Sequence, residues 1–173
     1  SIPFDCFEMG ADIGGNWVFD NSNGRSACYE TLEINTSCER MAFSDFPMPS
    51  DYPAYARHDQ VHAYFEQYVS HFGFRDRITF RTEVTEVTPT ETGTWTVRTV
   101  GPDGERVREY DAVLVANGHH WDPRVPTYPG SFAGDQMHAH AYRDGSQLEG
   151  RHVVVVGAGN SAMDIAVEAS RRS

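Results

Sequence analysis

The chain closes on RHVVVVGAGNSAMDIAVEASRRS, and this stretch limits the fold more than any other. Four valines in a row suit a strand buried on both faces, as in a parallel sheet. Gly157, Gly159 and Ala162 form a Gly-x-Gly-x-x-Ala turn, and the residues after it, AMDIAVEA, carry the pattern of an amphipathic helix. Gly157 permits the tight turn, Gly159 lets the backbone approach a pyrophosphate with no Cβ in the way, and Ala162 lets helix and strand pack closely. The helix N-terminus then faces the phosphates. A nucleotide-binding βαβ unit needs roughly 30 residues or more, yet eleven follow Ala162. Placed after a strand and before a helix, the spacing has the context that dinucleotide binding requires.

Composition narrows the function. With 39% apolar and 12% aromatic residues in 173, the chain has ample material for a packed core. A formal charge of −11 repels nucleic acid and anionic lipid, both of which associate mainly with clustered Lys and Arg. No apolar run approaches the roughly 20 residues of a membrane span. The opening SIPFDCFEMG lacks the basic start and long apolar stretch of a signal peptide. The expectation is a soluble, cytoplasmic protein with neither a membrane span nor a nucleic-acid partner. Cys6, Cys28 and Cys38 are odd in number and widely spaced, which suits buried free thiols rather than a disulfide framework or a zinc site.

Strand and helix signals alternate along the chain without repeats or low-complexity segments. IPFDCFE reads as a short strand ending in Glu8, and the glycines of ADIGGNW as a turn that passes close to something. Residues 21–55, rich in Ser, Asn, Pro and Gly, read as one long ordered loop. Over residues 59–72, Val61, Tyr64, Phe65, Tyr68, Val69 and Phe72 fall on one helical face. RITFRTEVTEV, TGTWTVRTV and REYDAVLVANG alternate apolar and polar residues, with GPDGE a turn between the last two, and predict a small antiparallel β unit. DAVLVANG reads as a buried strand ending in Gly118 before a proline-containing linker, and residues 152–156 as the strand before the glycine turn.

Glu8 supplies a second nucleotide signal. An acidic residue ending the second strand of a dinucleotide fold accepts hydrogen bonds from ribose hydroxyls. Glu8 lies far upstream of Gly157, so it belongs to another nucleotide unit, whose first strand, Gly-x-Gly-x-x-Gly turn and first helix would stand before Ser1. Two nucleotide units, the second inserted after a β meander and a strand ending in Gly118, form the layout of flavoproteins that hold FAD and a nicotinamide cofactor together. The expected fold class is α/β: a two-dinucleotide-binding-domain flavoprotein with Rossmann-like three-layer βαβ units and a small antiparallel β meander, truncated at both ends. Residues 1–148 are expected to be part of the FAD-binding domain, lacking its first strand and glycine turn, and residues 149–173 to begin the inserted NADP-binding domain. As such an internal fragment, the segment taken alone is expected to be inactive.

FAGDQMHAHAY, from Phe132 to Tyr142, matches Phe-x-Gly-x-x-x-His-x-x-x-Tyr. That is the identifying sequence of the flavin-containing monooxygenases, a family of class B flavoprotein monooxygenases, and it stands just upstream of the second glycine turn as in that family. CFEMGADIGGNW, INTSCERMAFSDFPMP, YDAVLVANGHH and GAGNSAMDIA also resemble the family, so the similarity covers essentially the whole chain. Related Baeyer–Villiger enzymes end the identifying motif in Trp, where this chain has Tyr142. That departure argues against ketone oxygenation as the main activity.

The resemblance implies FAD and NADP as cofactors and assigns residues to them. Glu8 would bind the FAD ribose, while Asn16 and Trp17 would lie along the flavin cofactor. Asn35 and Thr36 would lie beside the isoalloxazine and nicotinamide, with Asn35 the catalytic residue supporting the oxygenated flavin. Gly157, Gly159, Asn160, Ser161, Ala162, Met163 and Asp164 would contact NADP. The implied reaction uses NADPH and O2 to oxygenate the amine nitrogen or thioether sulfur of a small molecule. The cofactor performs the redox chemistry, and the protein keeps water and stray protons away, which suits a neutral amide such as Asn35 better than a strong acid. The residue selecting NADP over NAD would stand roughly 20 positions past the glycine turn, beyond Ser173. Substrate identity and oligomeric state stay open, a homo-oligomer included.

No metal site is expected. His138 and His140 are read as sharing a strand face, and His119 and His120 are adjacent, yet no carboxylate or thiol completes a ligand spacing. His138 is read as fixing the linker between the nucleotide units. Two alternatives stand beside the main reading: another two-dinucleotide flavoprotein, such as an N-hydroxylating or Baeyer–Villiger monooxygenase, and an inactive fragment with a binding role only. A disulfide reductase is disfavoured because the chain has no Cys-x-x-Cys pair.

Overall fold

The computed structural model describes residues 2–172. Near its start, β1 (Cys6–Phe7) pairs in parallel with β2 (Ile78–Thr79), Cys6 opposite Ile78 and Phe7 opposite Thr79. The Glu8 N–H donates to the Thr79 carbonyl at 3.0 Å, one step beyond the paired residues. Glu8 therefore stands at the carboxyl end of a parallel strand, although the regular strand is only two residues long.

Between β1 and β2 the chain builds a helical layer. Helix α2 (His58–Phe72) begins one residue before the predicted start, and Gly73 ends it at φ 66°. Val61 and Tyr64 are fully buried on its inner face, whereas Phe72, in the last turn, is 44% exposed. Residues 21–55 are not loop throughout: they contain α1 (Cys38–Met41), and bridges join Glu33 to Arg57 and Phe43 to Phe46. The Tyr64 hydroxyl accounts for order in the proline-rich part. It accepts from the Phe43 N–H at 2.8 Å and donates to the Phe46 carbonyl at 2.5 Å, while both phenylalanine rings stack on the tyrosine ring. Beneath α2, Ile34, Ala56 and Val61 form a core with Trp17 and Phe65 at its edge.

β3 (Glu83–Pro89), β4 (Trp95–Gly101) and β5 (Gly104–Tyr110) form the antiparallel meander, in that order. RITFRTEVTEV is divided rather than one strand: Ile78 and Thr79 leave for the parallel pair, and the meander starts at Glu83. Asp5 ties the two sheets together, its Oδ2 accepting from Arg108 at 3.0 Å and from the Tyr110 hydroxyl at 2.6 Å.

Two expected strands do not form. Residues 111–118 carry no ladder, and Leu114 and Val115 are 95% and 76% exposed. Residues 152–156 carry none either, with Val154 and Val156 exposed. A strand needs a hydrogen-bonded neighbour for its N–H and C=O groups, and no described segment pairs with either run. The alternation of DAVLVANG and VVVV records the faces such strands would have, without supplying the neighbour. One face of the second run still packs: Val153 and Val155 lie against a core of Tyr29, Tyr142, Leu148, Ile165 and Ala169. Ile165 and Ala169 come from α3 (Asn160–Arg172), the helix predicted after the glycine turn. No described helix is long and apolar enough to cross a membrane. The three cysteines are free thiols, Cys28 buried and the other two half-buried.

Candidate functional site

At the carboxyl end of the chain, Gly157 adopts φ 144°, which side chains rarely allow, and a Cβ there would stand 3.4 Å from the Ala162 Cβ. Tight turn and close packing are thus one requirement. Gly159 is different: it lies outside the left-handed region, and a Cβ on it would meet nothing within 4 Å. Helix α3 starts at Asn160, and its first hydrogen bond runs from the Met163 N–H to the Gly159 carbonyl at 3.1 Å. The N–H groups of Asn160, Ser161 and Ala162 therefore lack a helical acceptor. Open space over Gly159, free donors and the positive end of a helix fit a pyrophosphate. Met163 is 54% exposed beside them. Asp164, one turn along, accepts a hydrogen bond from the Tyr29 hydroxyl at 2.6 Å.

The other assigned residues lie near the start of the chain. Glu8 is half-buried, and its Oε1 accepts from the Gly10 N–H at 2.5 Å, turning the chain after β1. Gly14 at φ 114° and Gly15 at φ 51° then lead into a single 3₁₀ turn, Gly15–Trp17. A Cβ on Gly14 would stand 2.6 Å from His62 Cδ2 and 2.8 Å from Val18 Cγ2. Gly14 thus passes close to α2 itself. Asn16 is engaged inside the protein, its Oδ1 accepting from the Ala27 N–H at 2.8 Å and its carbonyl from the Ser26 hydroxyl at 3.0 Å. Trp17 packs on the Ile34–Ala56–Val61 core.

Asn35 and Thr36 occupy an exposed bend directly after buried Ile34. Two backbone bonds clamp this bend, Ile34 N–H to the Ala56 carbonyl at 3.0 Å and Cys38 N–H to the Ala54 carbonyl at 2.8 Å. Among the described residues the Asn35 side chain has no hydrogen-bond partner, so its amide donors and carbonyl acceptor face outward unspent. The bend holds its shape without help from that side chain.

Residues 26–34 join these groups, and sequence reasoning missed them. Ser26 and Ala27 bond Asn16, Tyr29 bonds Asp164, and Ile34 anchors the Asn35 bend. SACYETLEI has no motif that signals such a role; only Tyr29's burial, at 2% exposed, reveals it. Tyr142, the last residue of the identifying motif, is fully buried and donates to Glu168 Oε2 at 2.8 Å. Arg143 beside it donates to the carbonyls of His140, Tyr142 and Ser26, fastening the linker to the same segment. Burial pushes both tyrosine hydroxyls up, and their carboxylate acceptors push them further, so both remain donors. His138 and His140 do not share a strand face. His138 caps the 3₁₀ turn Ala139–Ala141, its Nδ1 accepting from the His140 N–H at 3.1 Å. Among the described residues no three His, Cys, Asp or Glu side chains converge as metal ligands.

Residues 2–173 match the family described as flavin-binding monooxygenase-like. Rat flavin-containing monooxygenase 5 is 39% identical over 175 residues, covering 95% of this chain and 33% of the relative. Rabbit dimethylaniline monooxygenase [N-oxide-forming] 2 is 38% identical over 178 residues, covering 97% and 33%. The structure of S-allyl-L-cysteine S-oxygenase from Allium sativum superposes with a TM-score of 0.88 at 30% identity, over 97% of this chain and 43% of that one. The chain spans about a third of the length of the curated relatives it matches. Its mixed parallel and antiparallel α/β architecture is that of the two-domain flavin monooxygenases. By sequence and by fold, the chain belongs to the flavin-binding monooxygenase-like family.

Proposed function

We propose that the protein uses FAD, NADPH and O2 to oxygenate a soft nucleophilic nitrogen or sulfur atom of a small molecule. The observation that carries this reading is Asn35, a neutral amide with no internal partner among the described residues, on a bend clamped at both ends. When bound, FAD reduced by NADPH would activate O2 for transfer of one oxygen atom to the substrate. The residues of this chain bind, orient and exclude. Glu8 would take the FAD ribose, Asn16 and Trp17 would lie along the flavin cofactor, and Asn35 and Thr36 would lie beside the isoalloxazine and nicotinamide. Residues 157–164 take NADP, with the pyrophosphate over Gly159. In this reading residues 1–148 belong to the FAD-binding domain and residues 149–173 open the NADP-binding domain. A carboxamide donates and accepts without releasing a proton, so Asn35 holds its ligands without acidifying the site. The names of two relatives support nitrogen and sulfur as targets, one being N-oxide-forming and the other an S-oxygenase.

Asn35→Ala and Asn35→Asp in the holoenzyme test the reading. A lost hydrogen bond of this kind is worth about 1–3 kcal/mol, or roughly tenfold or more in rate. The expected outcome is more hydrogen peroxide released and less product per NADPH consumed, at unchanged FAD occupancy. A wild-type ratio of product to NADPH in both variants removes Asn35 from the chemistry. Product analysis with an amine, a thioether and a ketone decides the substrate class, and a preference for the ketone would replace this reading by Baeyer–Villiger oxygenation.

A further inference from the structure

Two carboxylates one helical turn apart on α3 are each held by a buried tyrosine from outside the helix. Tyr29 donates to Asp164 at 2.6 Å, and Tyr142 donates to Glu168 at 2.8 Å. Thr31 adds a third hydroxyl to Glu168 at 3.2 Å, and Arg172 lies 3.5 Å from it on the same helix. The two rings pack at 5.7 Å between centroids, tilted by 57°, against Leu148, Ile165 and Ala169. The Glu168 side chain is only 12% exposed, and a Cβ at Gly145 would overlap both Glu168 and Arg172. Burial of Ile165 and Ala169 selects the inner face of α3. Two directional bonds at i and i+4 narrow its rotation further, because both are made only when that face of the helix points at the tyrosines.

We propose that Tyr29 and Tyr142 form a two-point clamp on α3 that sets where the helix N-terminus, and the glycine turn before it, points relative to the Asn16 and Asn35 segments. Tyr142 is thus a positioning residue for the nicotinamide nucleotide. The inference rests on the reading that residues 157–164 hold NADP. Its physical content is pre-organisation: a helix already locked in its binding orientation does not spend binding energy on being ordered. Tyr29 lies in the segment that also bonds Asn16 and anchors the Asn35 bend, so the clamp registers one nucleotide site against the other.

The test uses the holoenzyme and three variants. Tyr142→Phe keeps the ring and its packing and removes only the hydroxyl. Tyr29→Phe does the same at the other point of the clamp, removing the donor to Asp164, and it carries the test where Tyr142→Phe does not fold. Gly159→Val is the control for the nucleotide site, since its added atoms enter open space in the fold but block the approach of a pyrophosphate. The readouts are the NADPH dissociation constant and the flavin reduction rate from anaerobic stopped flow, with FAD content and the thermal midpoint alongside. The expected result is an NADPH dissociation constant about tenfold higher in Tyr142→Phe and Tyr29→Phe with FAD content unchanged, a split that a merely structural role would not give. Wild-type NADPH affinity in both, with affinity lost in Gly159→Val, overturns the clamp and leaves the nucleotide site standing. Unchanged affinity in Gly159→Val overturns the nucleotide reading and the clamp with it.

Discussion

Replacing Gly14 by alanine tests whether the close approach of this residue to α2 positions Asn16 and Trp17. At φ 114° and ψ −20°, Gly14 lies outside the regions open to residues with a side chain, a strain of about 1–3 kcal/mol. Its Cβ would also stand 2.6 Å from His62 Cδ2 and 2.8 Å from Val18 Cγ2, and overpacking of that kind costs about 1–3 kcal/mol. The sum is about 2–6 kcal/mol. Gly15→Ala is the internal control. At φ 51°, with nothing within 4 Å of its Cβ, the strain of about 1–2 kcal/mol is partly offset by a stiffer unfolded chain, which leaves about 1 kcal/mol or less. Neighbouring residues of one motif are thus expected to differ by several-fold in free-energy cost. The assay is urea unfolding of the holoenzyme together with FAD retained per chain after desalting. Gly14→Ala is expected to lower the midpoint and shed FAD, with partial recovery when His62→Ala is added, while Gly15→Ala retains both. Equal losses in Gly14→Ala and Gly15→Ala, or no recovery on adding His62→Ala, would refute the steric argument, because only the Gly14 Cβ meets another side chain.

Burial pushes the Cys28 thiol up to about 12, so in the folded protein iodoacetamide at pH 8 is expected to leave Cys28 unmodified until urea is added; rapid labelling without urea contradicts this. The folded value exceeds the unfolded one, so this contribution to stability is intact below the ordinary thiol value of 9.0 and is lost as pH rises towards about 12. Cys28→Ala is accordingly expected to lose less of its urea midpoint between pH 8 and pH 11 than the wild type. For Asp5, hydrogen bonding from Tyr110 and then Arg108 outweighs desolvation and lowers the carboxyl. Its stabilisation is present above the unfolded value of about 3.9 and disappears as pH falls through the lower folded value. Asp5→Asn is expected to flatten the decline of the urea midpoint in acid, and an unchanged decline would remove Asp5 from the tie between the sheets.

Local signals were legible wherever one segment carries its own pattern. The face of α2, the helix after the glycine turn and the turns of the meander follow from period and turn residues read in isolation. Residues 21–55, read as one long ordered loop, also hold α1 and two bridges, and the Phe43–Phe46 turn is fixed by a distant hydroxyl, that of Tyr64, bonding two backbone groups at once. The glycines of ADIGGNW announced a close approach, while its partner, His62, became visible only when α2 was in place. Residues 111–118 and 152–156 read as strands by composition, yet strand formation depends on a neighbour that no alternation within the segment can specify.

The same division holds for the candidate site. Residue types and spacings determined by themselves that the chain carries a Gly-x-Gly-x-x-Ala turn at Gly157, Gly159 and Ala162, an acidic strand end at Glu8 and a motif of the monooxygenase family ending at Tyr142. These depend on backbone freedom, side-chain size and charge at one place, and a sequence states such properties directly. Tertiary structure alone decided that residues 26–34 connect Asn16, Asp164 and the Asn35 bend, and that Tyr29 and Tyr142 meet carboxylates on the same helix. Those bonds span 135 residues for Tyr29 and 26 for Tyr142. Hydrogen bonds act over about 3 Å, and only folding brings residues so far apart in the chain to that distance.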